Sequence, residues 1–199
     1  MSATIDKSYT AEDLLRMPDG DLYELVDGQL VERDRGTESN WIAGKLFRLI
    51  ADHAESNSLG WVLPTDSSYQ CFPGRPNQVR KPDVSFIRSG RLPNEELPRG
   101  HCRIAPDLIA EVISPNDFYS DVMRRIFDFM EAGVPLIWVV DPDSRSVIVY
   151  RSDRSLSLLH EQDGLSGESV LSGFSCRISE LFPPKPNQNK SPADAEQNG

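Results

Sequence analysis

Apolar positions along this chain fall into two rhythms. Alternation at every second residue marks a half-buried strand, and recurrence at three and four residues marks one face of a helix. Thr10 to Asp13 (TAED) has the form of a capping box and opens a short helix, which Pro18 and the Asp19-Gly20 turn end. LYELVDGQLVER then sets two strand-like runs about Asp27-Gly28. Both residues of such a tight turn need positive φ, so a hairpin is predicted over 22–33. From Thr37 to about Ser56, Ile42, Leu46, Leu49 and Ile50 share one helical stripe, with Lys45 and Arg48 toward the exposed side.

The next stretch, GWVLPTDSSYQCF (60–72), reads as a strand interrupted by Pro64, which suits a sheet edge or a bulge. In VRKPDVSFI (79–87), alternation puts Lys81, Asp83 and Ser85 on one side and Val84 and Phe86 on the other. Residues 88–105 form a long polar connection of the length at which loops are functional or mobile. A strand over 106–114 puts Asp107, Ile109, Glu111 and Ile113 on one face and Leu108, Ala110 and Val112 on the other. Ser114-Pro115-Asn116-Asp117 is a turn and helix cap, and the helix turns Val122, Ile126, Phe129 and Met130 inward before ending at Gly133. PLIWVVD, RSVIVYR and SLSLLH are further strands, EQDGLSGES is a Gly-rich loop, and the ordered chain closes near SGFSCRISELF. The expected organisation is a flexible arm (1–8), one domain (9–183) and a disordered tail (184–199) without large apolar residues.

Composition narrows the class. A chain of 199 residues supports one sizeable core, and 38% hydrophobic with 26% charged residues is the balance of a soluble globular protein. A formal net charge of -10 weighs against a nucleic-acid partner, which calls for a basic surface unless a local groove or a metal inverts the field. Cys71, Cys102 and Cys176 form no CxxC pair, which argues against a disulfide framework or thiolate zinc and fits a reducing cytosol. With no apolar signal segment and no run as long as a membrane span, a cytoplasmic protein with no membrane partner is expected.

The chemistry concentrates between Val79 and Pro142. Two strands that carry acids on one face can join Asp83 and Glu111, with Asp107 as a third oxygen donor. A hard cation such as Mg2+, with Mn2+ as a substitute, takes one or two carboxylates plus waters and can activate water against a phosphodiester. Lys81, Arg124 and Arg125 are candidates to support the phosphate. The competing reading is that these acids are solvated strand-end residues. Glu111 resists it, because a carboxylate set mid-strand among apolar residues needs a partner. Glu24 is expected to face solvent from its hairpin, as a secondary, supporting candidate. His53 is expected at a helix end or surface, and His101 as a loop residue of no consequence. GxSxG, P-loop, GxGxxG and HExxH patterns are all missing.

YELVDGQLVE, RKPDVSF, PDLIAEVISPND and GVPLIWVVDP, in this order and spacing, resemble the Uma-two family of bacterial "putative restriction endonucleases" in the PD-(D/E)XK nuclease superfamily. The resemblance covers about residues 9–183. It implies an α/β (α+β) restriction-endonuclease-like core, a central mixed β-sheet flanked by helices with an N-terminal β-hairpin. It also implies Mg2+-dependent hydrolysis of DNA. Pro82-Asp83 matches the PD element and Glu111 the second acid, while Ile113 stands in the lysine slot. Family members place a lysine on the following helix, where this chain has Arg125. Asn40 and Leu136 stand where a histidine and a glutamate are common. Arginine stays charged and can hold phosphate but cannot serve as a tunable base. The first expectation is therefore a DNA endonuclease with Asp83 and Glu111 on metal, Asp107 assisting and Arg125 on the phosphate. The second is a catalytically weakened nuclease fold that binds nucleic acid or a protein. A third is a metal-dependent hydrolase of another substrate. A homodimer through the hairpin or the edge near Tyr69 is also open.

Overall fold

In the computed structural model of the protein, which describes residues 7–33 and 36–184, the two rhythms resolve into helices and strands close to the predicted ones. Helix α1 (Ala11–Arg16) starts at a capping box in which Thr10 and Asp13 satisfy each other's backbone N–H. Strands β1 (Tyr23–Val26) and β2 (Gln29–Glu32) pair antiparallel about Asp27 and Gly28, whose φ values are 49° and 81°. Helix α2 (Thr37–Ser56) follows, with Ile42, Leu46 and Ile50 fully buried and Leu49 packed at the margin.

A six-stranded sheet is then laid down in chain order: β3 (Gly60–Leu63), β4 (Val84–Arg88), β5 (Leu108–Val112), β6 (Leu136–Asp141), β7 (Ser146–Arg151) and β8 (Leu156–His160). Every neighbouring pair is antiparallel except β5 and β6. That parallel pair needs a crossover, which α3 (Tyr119–Glu131) supplies. The sheet is mixed and flanked by helices, as expected. Pro64 ends β3, and β3 is an edge strand.

Each face of the sheet has its own core. On one, α2 covers Val84, Phe86, Leu108, Ala110, Val112, Trp138 and Val149. A small ribbon of β9 (Gly164–Ser166) and β10 (Ser175–Arg177) helps to close it. On the other, Val122, Ile126 and Phe129 of α3 pack over Ile87, Ile109, Ile137 and Val139, joined by Tyr69 and Phe72. The alternation predicted for 79–87 and 106–114 holds, since the two sets of side chains sort into different cores.

Three boundaries differ from expectation. The strand predicted from Val79 begins only at Val84, because Pro82 has no N–H to give a ladder; Val79 and Arg80 instead make single bridges to Leu25 and Tyr69. The Gly-rich loop contains β9. Asp117 does not cap α3; its carboxylate turns back to the N–H of Ser114, and the helix starts two residues on. The expected arm and tail lie almost wholly at residues 1–6 and 185–199, outside the described ones.

Candidate active site

The sheet brings together the acids that matter. β4 and β5 pair Val84 with Ala110 and Ser85 with Ile109, so one further step of the register sets Asp83 opposite Glu111. Directly opposed residues carry their Cβ atoms about 5 Å apart. Both point to the α3 face, the side of Ile109 rather than Ala110.

Each carboxylate is held by an arginine and has a distinct environment. Asp83 accepts the N–H of Val112 at 2.8 Å on Oδ2, and Nη2 of Arg33 lies 3.1 Å from its Oδ1. Glu111, only 2% exposed, accepts from Nη1 of Arg125 at 2.9 Å on Oε2, while its buried Oε1 has no partner among the described residues. Burial pushes the Glu111 carboxyl up strongly; Arg125 pulls it down, Asp83 and Glu24 push it up again, and it comes to about 8. Burial also raises Asp83, against the pull of Arg33 and the Val112 N–H. Burial thus works toward the neutral acid at Glu111, while Oε2 accepts from Arg125.

Arg125 is the hub. From α3 it reaches Glu111, lies 3.6 Å from Asp117 and places Nε 3.9 Å from Glu24. The expectation that Glu24 faces solvent is overturned: it is 1% exposed. The hairpin lies against residues 77–79 through hydrogen bonds of Leu25 with Val79 and of Gly28 with Asn77, which turns β1 inward. Glu24 accepts Arg80 Nη1 at 2.8 Å and the Lys81 N–H at 2.7 Å. Burial would raise its carboxyl, but Arg125, Arg80 and Arg33 together hold it below the ordinary carboxylate value.

Other predicted residues lie elsewhere. Asp107 shares the face of Glu111 but sits four residues away along the strand, about 13 Å at strand rise. There it accepts the Arg88 N–H at 2.9 Å and Arg91 at 2.7 Å, and it is not brought into the cluster. The ammonium of Lys81 donates to the Gly20 carbonyl at 2.8 Å, so its supporting role is to fix the turn before β1. Arg124 is exposed and pairs with Asp121. His101 is not inconsequential. Buried, with Nδ1 at 2.7 Å from the Ser68 hydroxyl and Nε2 donating to the Ala11 carbonyl at 2.9 Å, it ties the long connection to α1.

Sequence reasoning missed three residues of this site. Arg33 binds Asp83, Asp66 and Thr65. Arg80 joins Glu24 to Asp128, and Asp128 itself lies buried on α3 with Gln78, Arg75 and Arg80 around it. A charged residue next to the buried stripe of α3 was the one available signal for Asp128; Arg33 lay in a charge-rich turn without any.

The donor set fits a single hard cation. Among the described residues no group of three or more His, Cys, Asp or Glu side chains converges on a metal site, but one or two carboxylates suffice for Mg2+. Asp83 and Glu111 are adjacent, and the unpartnered Oε1 of Glu111 is a buried oxygen lacking the partner that such groups normally have. On the α2 side, residue Asp83 borders a cleft of about 200 Å³ with Asn40, Gly44, Phe47, Pro64 and Thr65. Asp117 lines a second of about 310 Å³, together with the start of α2.

The fold is thus a mixed sheet with a helix on each face, with Asp83 and Glu111 opposed where β4 and β5 meet. The same fold occurs in a crystal structure from Anabaena variabilis, described as "a putative nuclease belonging to DUF820", which aligns with a TM-score of 0.72 at 20% identity over 87% of this chain and 97% of that one. The chain belongs to the Uma2 family: residues 11–179 match its model, whose description is "Putative restriction endonuclease". No curated protein matches.

Proposed function

We propose that the protein is a Mg2+-dependent endonuclease that hydrolyses DNA phosphodiester bonds, acting in the cytoplasm. The observation that carries this reading is the buried, half-unpartnered Glu111 set beside Asp83 in a family of nuclease type. Asp83 and Glu111 would hold the cation, and Mn2+ would serve in its place. A cation bound there would polarise a phosphate oxygen and lower the pKa of a bound water. Arg125 stands within reach of the same position, fully charged, and would neutralise the phosphate in the role of the family lysine. Arg33 would do so from the Asp83 side. Glu24 keeps Arg125 and Arg80 in place. Asp107, bound up by Arg88 and Arg91, takes no part.

The test is cleavage of supercoiled and single-stranded DNA by purified protein with Mg2+ or Mn2+, beside Glu111→Ala. Metal-dependent cleavage that disappears in the variant is expected. Equal background in both proteins would overturn the reading. It would then favour a nuclease fold that binds nucleic acid or protein without cutting, a reading to which Arg125 in the lysine position and the net charge of -10 lend weight.

A further inference from the structure

We propose that the outer face of α3 and the free edge of β8 form a self-association surface, and that the protein is a two-fold dimer through it. This inference concerns a face of the molecule apart from the acids and does not depend on the catalytic reading.

The apolar residues there are exposed where a monomer would hide them. Phe118 is 74% exposed, Tyr119 80%, Phe127 52%, Leu156 63% and Leu158 52%. Tyr119, Phe127 and Leu156 line one trough of about 860 Å³ with Met123, Met130 and Tyr150. The cause is geometric. Leu156 and Leu158 pair with Tyr150 and Ile148, on the α3 side of the sheet, but α3 centres on β5 and β6 and leaves that corner uncovered. With aromatic side chains worth 150–250 Å² each, Tyr119 and Phe127 together with Leu156 and Leu158 leave roughly 450 Å² of apolar surface, within the ~300–600 Å² of the largest patch on a typical monomer, which is often functional.

Three features favour a second copy over other occupants. β8 closes the sheet, and among the described residues no strand pairs with its outer side. An antiparallel pair of β8 strands is two-fold symmetric, so one patch serves both copies. Charge permits the approach: the chain carries -10, yet the trough is flanked by one charge of each sign, Glu131 on α3 and Arg154 after β7, so two such faces do not repel. The chain's own tail is a poor occupant, because the only apolar side chains that residues 185–199 (KPNQNKSPADAEQNG) offer to the trough are two prolines and two alanines.

Sedimentation velocity over a concentration series, on the full chain, tests this. Wild type should sediment as a dimer, and Leu158→Lys and Tyr119→Glu, both at exposed positions, should each raise the dimer dissociation constant at least ~tenfold. Circular dichroism and thermal unfolding of the dissociated variants should show an intact fold. A wild-type monomer at all concentrations would overturn the proposal. So would a dimer indifferent to both substitutions, which must use another face. A dimer that appears only after residues 185–199 are removed would assign the trough to the tail and overturn it equally.

Discussion

Glu111→Gln gives the sharpest physical test of the site, because the neutral side chain imitates the protonated acid that burial favours at Glu111. An ordinary glutamate loses its proton near 4.5, and the buried one near 8. Between those values the native state carries a proton that the unfolded chain has given up, so stability must fall as pH rises, by ~1.4 kcal/mol per unit. Over the interval this amounts to on the order of 5 kcal/mol, fully present below about pH 4.5 and lost above about pH 8. The glutamine variant lacks that contribution. In urea titrations followed by tryptophan fluorescence without metal, the wild-type protein should lose stability relative to Glu111→Gln steadily from mildly acidic to mildly alkaline pH. Mg2+ should stabilise the wild type most at the alkaline end, where no proton has to be expelled from Glu111, and the variant little at any pH. A stability difference that stays constant with pH, or moves in favour of the wild type as pH rises, would refute the reasoning. Arg125 would then outweigh burial, and Glu111 would be ionised throughout.

Two further outcomes follow from the ion lattice and the core behind it. Glu24→Gln removes the negative charge that Arg80 and Arg125 share, and breaking a buried pair in this way should cost about 3–5 kcal/mol in urea unfolding. It should also move the pH midpoint of Glu111 downward, since Glu24 helps to raise it; an unmoved midpoint would mean that the two groups do not communicate. Tyr69→Phe deletes a hydroxyl bonded to Ser85 at 2.6 Å and leaves that serine buried and unpaired, so a loss of about 1–3 kcal/mol is expected, with calorimetry as the check.

The fold was legible wherever its cause was local. Asp27-Gly28 dictates positive φ whatever surrounds it, the stripe of α2 needs only its own spacing, and alternation alone assigned Ser85 and Phe86 to opposite faces. What could not be read was distance in space. The alternation put Asp107 and Glu111 correctly on one face, but parity repeats every two residues and does not say which end of a strand the other acid meets. Asp107 therefore entered the candidate set and the structure leaves it at the far end, held by Arg91. Glu24 looked exposed because a hairpin in isolation has one wet face; the long-range bridge of Leu25 to Val79 removed it. Arg33 meets Asp83 across 50 residues of chain, and no periodicity encodes that contact.

Three acids of the site are matched one for one by arginines, half-buried Asp83 by Arg33, and buried Glu111 and Glu24 by Arg125 and Arg80. Those contacts tie together the hairpin with the residue that follows it, the residues before β4, β5 and α3. Carboxylates in such surroundings cost several kcal/mol each when unpaired, so the arginines let the domain fold before any cation arrives. The choice of arginine over lysine suits this task, since a guanidinium stays charged under burial that depresses an ammonium, and its planar fork can hold two acids at once, as Arg125 does. On the proposed reading the same property serves catalysis. A cation taken up by Asp83 and Glu111 would compete with Arg33 and Arg125 for those oxygens, leaving two fixed positive groups facing a phosphate just where the negative charge had been neutralised. On that reading Arg125 would bind phosphate and transfer no proton, and water activation would fall to the cation alone.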